Sequence, residues 1–274
     1  MPKLPKDTTD RNRTSPMAFT GNKFELRSLG SADSISCCNT VLNTAVADAL
    51  MQFADELEAS DDFEKTLHDI CKKTFTEHRR IIFSGDGYDD AWVKEAESRG
   101  LMNLKTTPDA IAHMLDDKNV ALFEKHNVYS RTELESRHEV RLETYSKIIH
   151  IEALTMLDMA NKDILPAMSR FTAELADSAA KKEVCGLNCD YEKATAKKIS
   201  DELSKMFKAV TKLEEDERQW NDMTDNLTKL GDFCRDVIIP DMNEIRLHSD
   251  NMEMIAEQKA WPYPSYGKLL FGVR

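Results

Sequence analysis

Charged side chains at alternating positions give the clearest sign of chemistry in this sequence. Lys23, Glu25 and Arg27 are separated by the apolar residues Phe24 and Leu26. Because successive side chains of a β-strand point to opposite faces, the three charged groups are predicted to share one face of a strand. A carboxylate surrounded by more cations than it can neutralise suits the binding of an anionic ligand, such as a phosphate or a carboxylate.

A tight turn is predicted to fold this strand back onto a preceding one. Gly21-Asn22 tolerates positive φ, so Phe19-Thr20 and the segment Lys23 to Arg27 are predicted to be the two strands of a β-hairpin. The opposed strand then brings Arg11 and Arg13 towards the single carboxylate. The alternative is a solvated strand face whose charges pair with one another.

Helices are predicted to make up the rest of the chain. The 274 residues include only 9 glycines and 8 prolines and are rich in helix formers, so the fold class is mainly α, with an α+β start at the hairpin. Apolar residues at helical spacing predict a helix from Thr40 to Leu57, with Asn39 as its N-cap, and a second from Asp62 to Arg79. Short helices are expected around residues 92–98, 108–115 and 119–125.

The C-terminal half is predicted to form a long, kinked, antiparallel helical hairpin or bundle. Thr132 to Lys182 has helical composition and contains Pro166, which should kink it. Pro240 stands in a similar apolar setting in a later helix, so each proline is predicted to bend a helix around the same core layer. A coiled-coil-like seam is interrupted at Glu217, in an acidic run interpreted as a solvated helix face. The seam residues are Ala196, Ile199, Leu203, Met206, Val210, Leu213 and Trp220.

Composition argues against several functional classes. The net charge of -12 and the absence of a basic stripe make nucleic acid an unexpected partner. No apolar run approaches the ~20 residues that span a bilayer, and no export signal is seen, so we expect no membrane partner, a cytoplasmic location and reduced thiols. Cys185 and Cys189 lack a second pair of ligands for zinc. Ser84 to Asp90 is predicted to be a turn that leads into the next helix, with Asp89 or Asp90 as its N-cap.

Several segments together resemble the type III glutamine synthetases, and the resemblance spans nearly the whole chain. Residues 10–16, 19–25 and 27 match the family's N-R-x-x-S segment and the basic, apolar, Glu, apolar, Arg pattern that follows it. The other similar segments are Asn39-Thr40-Val41-Leu42-Asn43, Ile82-Phe83-Ser84-Gly85-Asp86-Gly87-Tyr88, Ile151-Glu152-Ala153-Leu154-Thr155-Met156-Leu157 and Trp261-Pro262-Tyr263-Pro264.

The resemblance implies a role for four residues. The family joins ammonia to glutamate through a γ-glutamyl phosphate, with ATP and Mg or Mn as cofactors. By resemblance, Glu25 is a ligand of the metal that binds the nucleotide phosphates, and Arg27 holds the substrate glutamate. Arg13 and Lys23 contact ATP phosphates and stabilise charge during phosphoryl transfer. A second arginine of other synthetase types corresponds to Ala18 here.

The resemblance also implies an organisation and a function. Residues 1–150 are expected to be the C-terminal part of the catalytic domain, 151–260 a type III-specific helical extension, and 261–274 a C-terminal tail. The chain would serve glutamine biosynthesis within a ring-shaped homo-oligomer, and would be inactive alone because the family's other metal ligands lie upstream of the matched segments. The alternative is a non-catalytic helical oligomerisation or interaction module.

Overall fold

The computed structural model describes residues 17–19, 23–26, 34–83, 87 and 89–272. It confirms a mainly α chain that begins with a β-hairpin. The two strands are β1 (Met17–Phe19) and β2 (Phe24–Leu26). The helices are α1 (Ile35–Glu58), α2 (Phe63–Glu77), α3 (Asp90–Ser98), α4 (Thr107–Ala112), α5 (Asp117–Lys125), α6 (Arg131–Met159), α7 (Leu165–Val184), α8 (Asp190–Trp220), α9 (Leu227–Phe233), α10 (Ile239–Glu253) and α11 (Tyr266–Phe271).

Two compact units make up the chain. Unit 1 comprises Met1–Lys105 and His113–Leu134, and unit 2 comprises Thr106–Ala112 and Glu135–Arg274. The bounds of the two units follow from their internal contacts alone. The functional division at residues 150 and 260 is a different matter and stays a prediction. None of the helices in the described part of the chain is both long and apolar enough to cross a bilayer.

Unit 2 has an extensive apolar core. In it α8 packs against α7 and against α10, as expected for an antiparallel helical bundle. The predicted seam is confirmed, since its central residues are fully or almost fully buried; these are Ile199, Met206, Val210, Leu213 and Trp220. Opposite them lie buried residues of the other helices, among them Ala153, Met168, Leu230, Ile245 and Met252. Unit 2 therefore buries enough apolar surface to hold its helices together.

Unit 1 buries much less. Its main buried cluster contains Val120, Phe123 and Leu134. Helix α1 is 24 residues long, all of them described, yet Thr44 is the single buried residue in it. Helix α2, which is also described in full, likewise has one buried residue, Ile70. The two N-caps are well formed, because the side chain of Ser34 accepts from the Ser36 amide and that of Asp62 accepts from the Lys65 amide. The ends of these helices are therefore specified mainly by their N-caps, since few of their side chains pack in a core.

Pro166 and Pro240 in unit 2 each follow a π-helical turn. Ala160–Ile164 joins α6 to α7, and the amide of Leu165 donates to the carbonyl of Ala160. Cys234–Ile238 joins α9 to α10, and there the amide of Ile239 donates to the carbonyl of Cys234. A proline has no amide hydrogen and its ring crowds the carbonyl four residues earlier, so a wider turn in front of it relieves the clash. The helix therefore passes each proline without ending.

Two details of the sequence interpretation are wrong. Helix α1 begins at Ile35 and its N-cap is Ser34, so Asn39 lies inside the helix and does not cap it. Glu217 is not part of a solvated face, because its side chain is 6% exposed and contacts His150. Of the two predicted cap residues of α3, Asp89 is the N-cap and accepts a hydrogen bond from the Ala91 amide, while Asp90 lies in the helix.

Candidate functional site

The register of the hairpin sorts its residues onto two faces. The strands are antiparallel, with Met17 opposite Leu26, Ala18 opposite Glu25 and Phe19 opposite Phe24. Directly opposed residues share a face, so positions 17, 19, 24 and 26 form an apolar face and positions 18 and 25 belong to the other.

Lys23 and Glu25 meet on the charged face, as their spacing predicts. The Lys23 Nζ lies 3.5 Å from the Glu25 Oε1, and the Glu25 side chain is 27% exposed. This is a partly accessible ion pair, and such pairs add little to stability. Its significance is chemical, because a carboxylate oxygen is a ligand for a hard cation and a neighbouring ammonium group attracts phosphate oxygens.

The other predicted site residues lie outside the described residues. These are Arg13 and Arg27, together with Arg11 and the turn. Ala18 pairs directly with Glu25 across the two strands.

A magnesium ion needs more oxygen ligands than this part of the hairpin supplies. It prefers an octahedral set of oxygens, of which a protein carboxylate gives one or two. Glu25 fits one such position by its donor type and its accessibility. Among the described residues, no group of three or more His, Cys, Asp or Glu could hold a metal ion. Glu25 could therefore act only together with ligands outside those residues.

Unit 2 contains a buried polar cluster that the sequence interpretation missed. The His150 Nδ1 lies 2.6 Å from the Glu217 Oε2, and the imidazole stacks on the Trp220 indole with ring centroids 4.1 Å apart. Burial raises the pKa of the Glu217 carboxyl, while His150 opposes that shift. The thiol of Cys234, whose pKa burial also raises, lies beside Ser146 and Trp220. The sequence feature that could have revealed this cluster is Glu217, because this acid interrupts the apolar spacing of the α8 seam.

A buried histidine, His248, joins α8 to α10. The His248 Nδ1 is 2.8 Å from the Glu202 Oε2, and its Nε2 is 3.0 Å from the Glu244 Oε1. Lys205, Asn251 and His248 together lower the pKa of Glu202 to about 2. Both ring nitrogens of the histidine are thus used in contacts between helices. We interpret this arrangement, like the Glu217 cluster, as part of the packing of unit 2 rather than as a catalytic group.

Comparison with known proteins finds similarity over nearly the whole chain. Residues 66–183 match the family described as "Glutamine synthetase C-terminal domain". Over 98% of its length the chain is 38% identical to a type-3 glutamine synthetase of Dictyostelium discoideum. It is 36% identical over 98% of its length to a glutamine synthetase of Butyrivibrio fibrisolvens, and 32% over 99% to one of Bacteroides fragilis. The chain spans only 38%, 39% and 38% of the lengths of these three relatives.

Proposed function

We propose, from the premise that this chain belongs to the glutamine synthetase family, that it forms the C-terminal portion of a type-3 glutamine synthetase and contributes one edge of the active site. The reaction would be the ATP-dependent ligation of ammonia to glutamate. The observation that carries the proposal is the Lys23–Glu25 pair on one face of a hairpin, within a chain that matches such enzymes over 98% of its length.

Each hairpin residue has a distinct role in this proposal. Glu25 would be one oxygen ligand of a Mg or Mn ion that neutralises the ATP phosphates. Lys23 and Arg13 would contact phosphate oxygens, and Arg27 would hold the carboxylate of glutamate. The Lys23 ammonium lies on the same face as the carboxylate, so it can approach a phosphate bound at the metal. Transfer of the γ-phosphoryl group needs such positive charge around its oxygens.

The helical unit offers a second candidate function, as a module for assembly. Exposed apolar side chains stand at the turn between α7 and α8, where Val184 is 90% exposed, and Leu187 and Tyr191 are exposed as well. Apolar groups at such a tip favour a contact surface. In a ring-shaped homo-oligomer this role and catalysis would coexist, whereas a purely non-catalytic module would not need the charged hairpin.

A chimeric enzyme tests the catalytic proposal. The segment of the Dictyostelium discoideum relative that this chain matches is replaced by this chain, and ATP-dependent glutamine formation is measured. We expect activity in the chimera and none in the 274-residue chain alone. Glu25→Gln, which keeps the size but removes the anionic ligand, should reduce kcat at least tenfold and raise the Mg requirement.

A matched change of an exposed acid provides the control. Glu215 lies exposed on α8, and Glu215→Gln removes one negative charge without touching the hairpin. It should leave both kcat and the Mg requirement unchanged. An active chimera in which Glu25→Gln behaves like Glu215→Gln would refute the role of Glu25. An inactive but folded chimera would instead favour the assembly module.

A further inference from the structure

The turn between α7 and α8 has a cysteine at each end. Cys185 is the C-cap residue of α7, and Cys189, which follows after Gly186, Leu187 and Asn188, is the N-cap residue of α8. Both are free thiols, but Cys185 is exposed whereas Cys189 is buried. An accessible thiol close to a second thiol is typical of reversible redox sites, in which one cysteine is oxidised and the other resolves it.

The three residues between the cysteines are not packed in the core. Gly186, Leu187 and Asn188 are all exposed, and a Cβ added at Gly186 would meet no atom within 4 Å. Gly186 has φ +69°, a conformation that glycine adopts without strain. A disulfide requires the two Cα atoms to come within about 7 Å of each other. Exposed residues can adjust the turn to that spacing without disturbing the buried part of unit 2.

The two helices hold the ends of the turn together. Helix α7 packs along α8, and the Lys182 ammonium group binds the Glu192 carboxylate from one helix to the other. The Lys193 ammonium group binds the Glu183 carboxylate in the same way. The folded chain therefore keeps Cys185 near Cys189, so a reaction between the two thiols is favoured over a reaction with another chain.

The surroundings of the buried thiol favour negative charge. Cys189 contacts the Lys193 ammonium group and lies at the N-terminal end of α8, where the helix dipole is positive. Glu183 also contacts Cys189, but that carboxylate is paired with Lys193. The thiolate is the form that attacks an oxidised sulfur, so these surroundings suit Cys189 to the step that closes a disulfide.

We propose that Cys185 and Cys189 form a redox pair that hydrogen peroxide converts into a disulfide. The exposed Cys185 thiolate attacks one peroxide oxygen and becomes a sulfenic acid, and the other oxygen leaves as water after it takes up a proton. The Cys189 thiolate then attacks the Cys185 sulfur, the S–S bond forms, and the sulfenic hydroxyl leaves as a second water. The pair loses two electrons and two protons, and the peroxide gains them. A thiol reductant reverses the reaction by exchange.

Oxidation would change the surface at the end of the α7–α8 pair. Val184 directly precedes Cys185, Leu187 lies between the two cysteines, and both apolar side chains are exposed. A bond that draws residues 185 and 189 together therefore reshapes the apolar group that the assembly function would use. The hairpin takes no part in this chemistry, so the redox pair and the proposed catalytic function can fail separately.

Mass spectrometry of the oxidised chain tests the proposal. Trypsin releases residues 183–193 as one peptide that contains both cysteines, because it cleaves after Lys182 and Lys193. After treatment with hydrogen peroxide and then N-ethylmaleimide, we expect this peptide to be unlabelled and lighter by the mass of two hydrogen atoms. Dithiothreitol should restore both labelling sites. Cys71 is the control, since it is exposed on α2 and has no cysteine within four residues in sequence; its peptide should show no disulfide.

Two single variants separate the roles of the cysteines. In Cys189→Ser the sulfenic acid at Cys185 has no thiol to react with, so dimedone should trap about tenfold more of it than in the wild type. In Cys185→Ser the buried Cys189 should react with maleimide about tenfold more slowly than Cys185 does in Cys189→Ser, and the two rates should become equal in urea.

Three results would overturn the inference. The first is a disulfide from Cys185 to another chain, and the second is a sulfinic acid at Cys185 in the wild type while Cys189 stays free. The third is equal maleimide rates in the two folded variants, with circular dichroism at 222 nm showing that both are folded. The mass measurement on the wild type needs no variant, so it decides the question even if a serine substitution prevents folding.

Discussion

Removing the histidine from the buried His150–Glu217 pair should destabilise unit 2 in a pH-dependent way. In His150→Phe the introduced ring can keep the stacking on Trp220, whose indole lies 4.1 Å away. The Glu217 carboxyl, only 6% exposed, loses the imidazole whose Nδ1 lies 2.6 Å from its Oε2. A buried carboxylate left without its partner typically costs about 3–5 kcal/mol.

Protonation of Glu217 limits this cost. A carboxyl has an ordinary pKa of 4.5 and, once its partner is gone, it can take up a proton on folding. At pH 7 that costs about 3.4 kcal/mol, from about 2.5 pH units at about 1.36 kcal/mol each. At pH 5 the same arithmetic gives less than about 1 kcal/mol. Because the folded-state pKa is raised, the stability of the variant should fall as the pH rises from 5 to 7.

Urea unfolding followed by circular dichroism at 222 nm measures this difference. We expect His150→Phe to lose about 3 kcal/mol of unfolding free energy at pH 7 and less than about 1 kcal/mol at pH 5. Glu217→Gln is the control, since its amide oxygen still accepts from the imidazole but carries no charge; it should stay within about 1 kcal/mol of the wild type. A His150→Phe loss below about 1 kcal/mol at pH 7, or an equal loss at both pH values, would refute the reasoning.

Three further outcomes are expected. Met206→Ala, at a fully buried seam position, should lower the unfolding free energy by about 2–5 kcal/mol in the same urea assay. Gly186→Ala, at φ +69°, should cost about 1 kcal/mol through backbone strain alone, because no atom lies within 4 Å of the added Cβ. Lys125 and His126 hold the pKa of Asp48 at about 2, so Asp48→Asn should lower the thermal midpoint at pH 7, a difference that disappears towards pH 2.

The start of α1 shows why helix boundaries were harder to predict than helices. Residues 35–39 are Ile, Ser, Cys, Cys and Asn, which have modest helix propensity, so the periodic signal begins only at Thr40. Ser34 and Asn39 are both good N-cap residues. Only the backbone shows that Ser34 accepts from the Ser36 amide. The start of α2 was easier to predict, because Asp62 directly precedes its first turn.

A long-range partner explains the error in unit 2. Glu217 sits among acids, and nothing local reveals that His150 lies against it from 67 residues away. The bends expected at Pro166 and Pro240 stay predictions, and the hydrogen bond from the Leu165 amide to the Ala160 carbonyl shows a π-helical turn before the first of these prolines. The predicted seam was correct because it depends only on helical spacing.

The contrast between the two units bears on how a site on the hairpin could work. Elements with few buried apolar contacts open at low free energy, and unit 1 buries few. A metal ligand must nevertheless be held within a fraction of an ångström. The Lys23–Glu25 ion pair is too exposed to supply that rigidity by itself. A role of Glu25 as a metal ligand would therefore need further packing to hold the hairpin in one orientation.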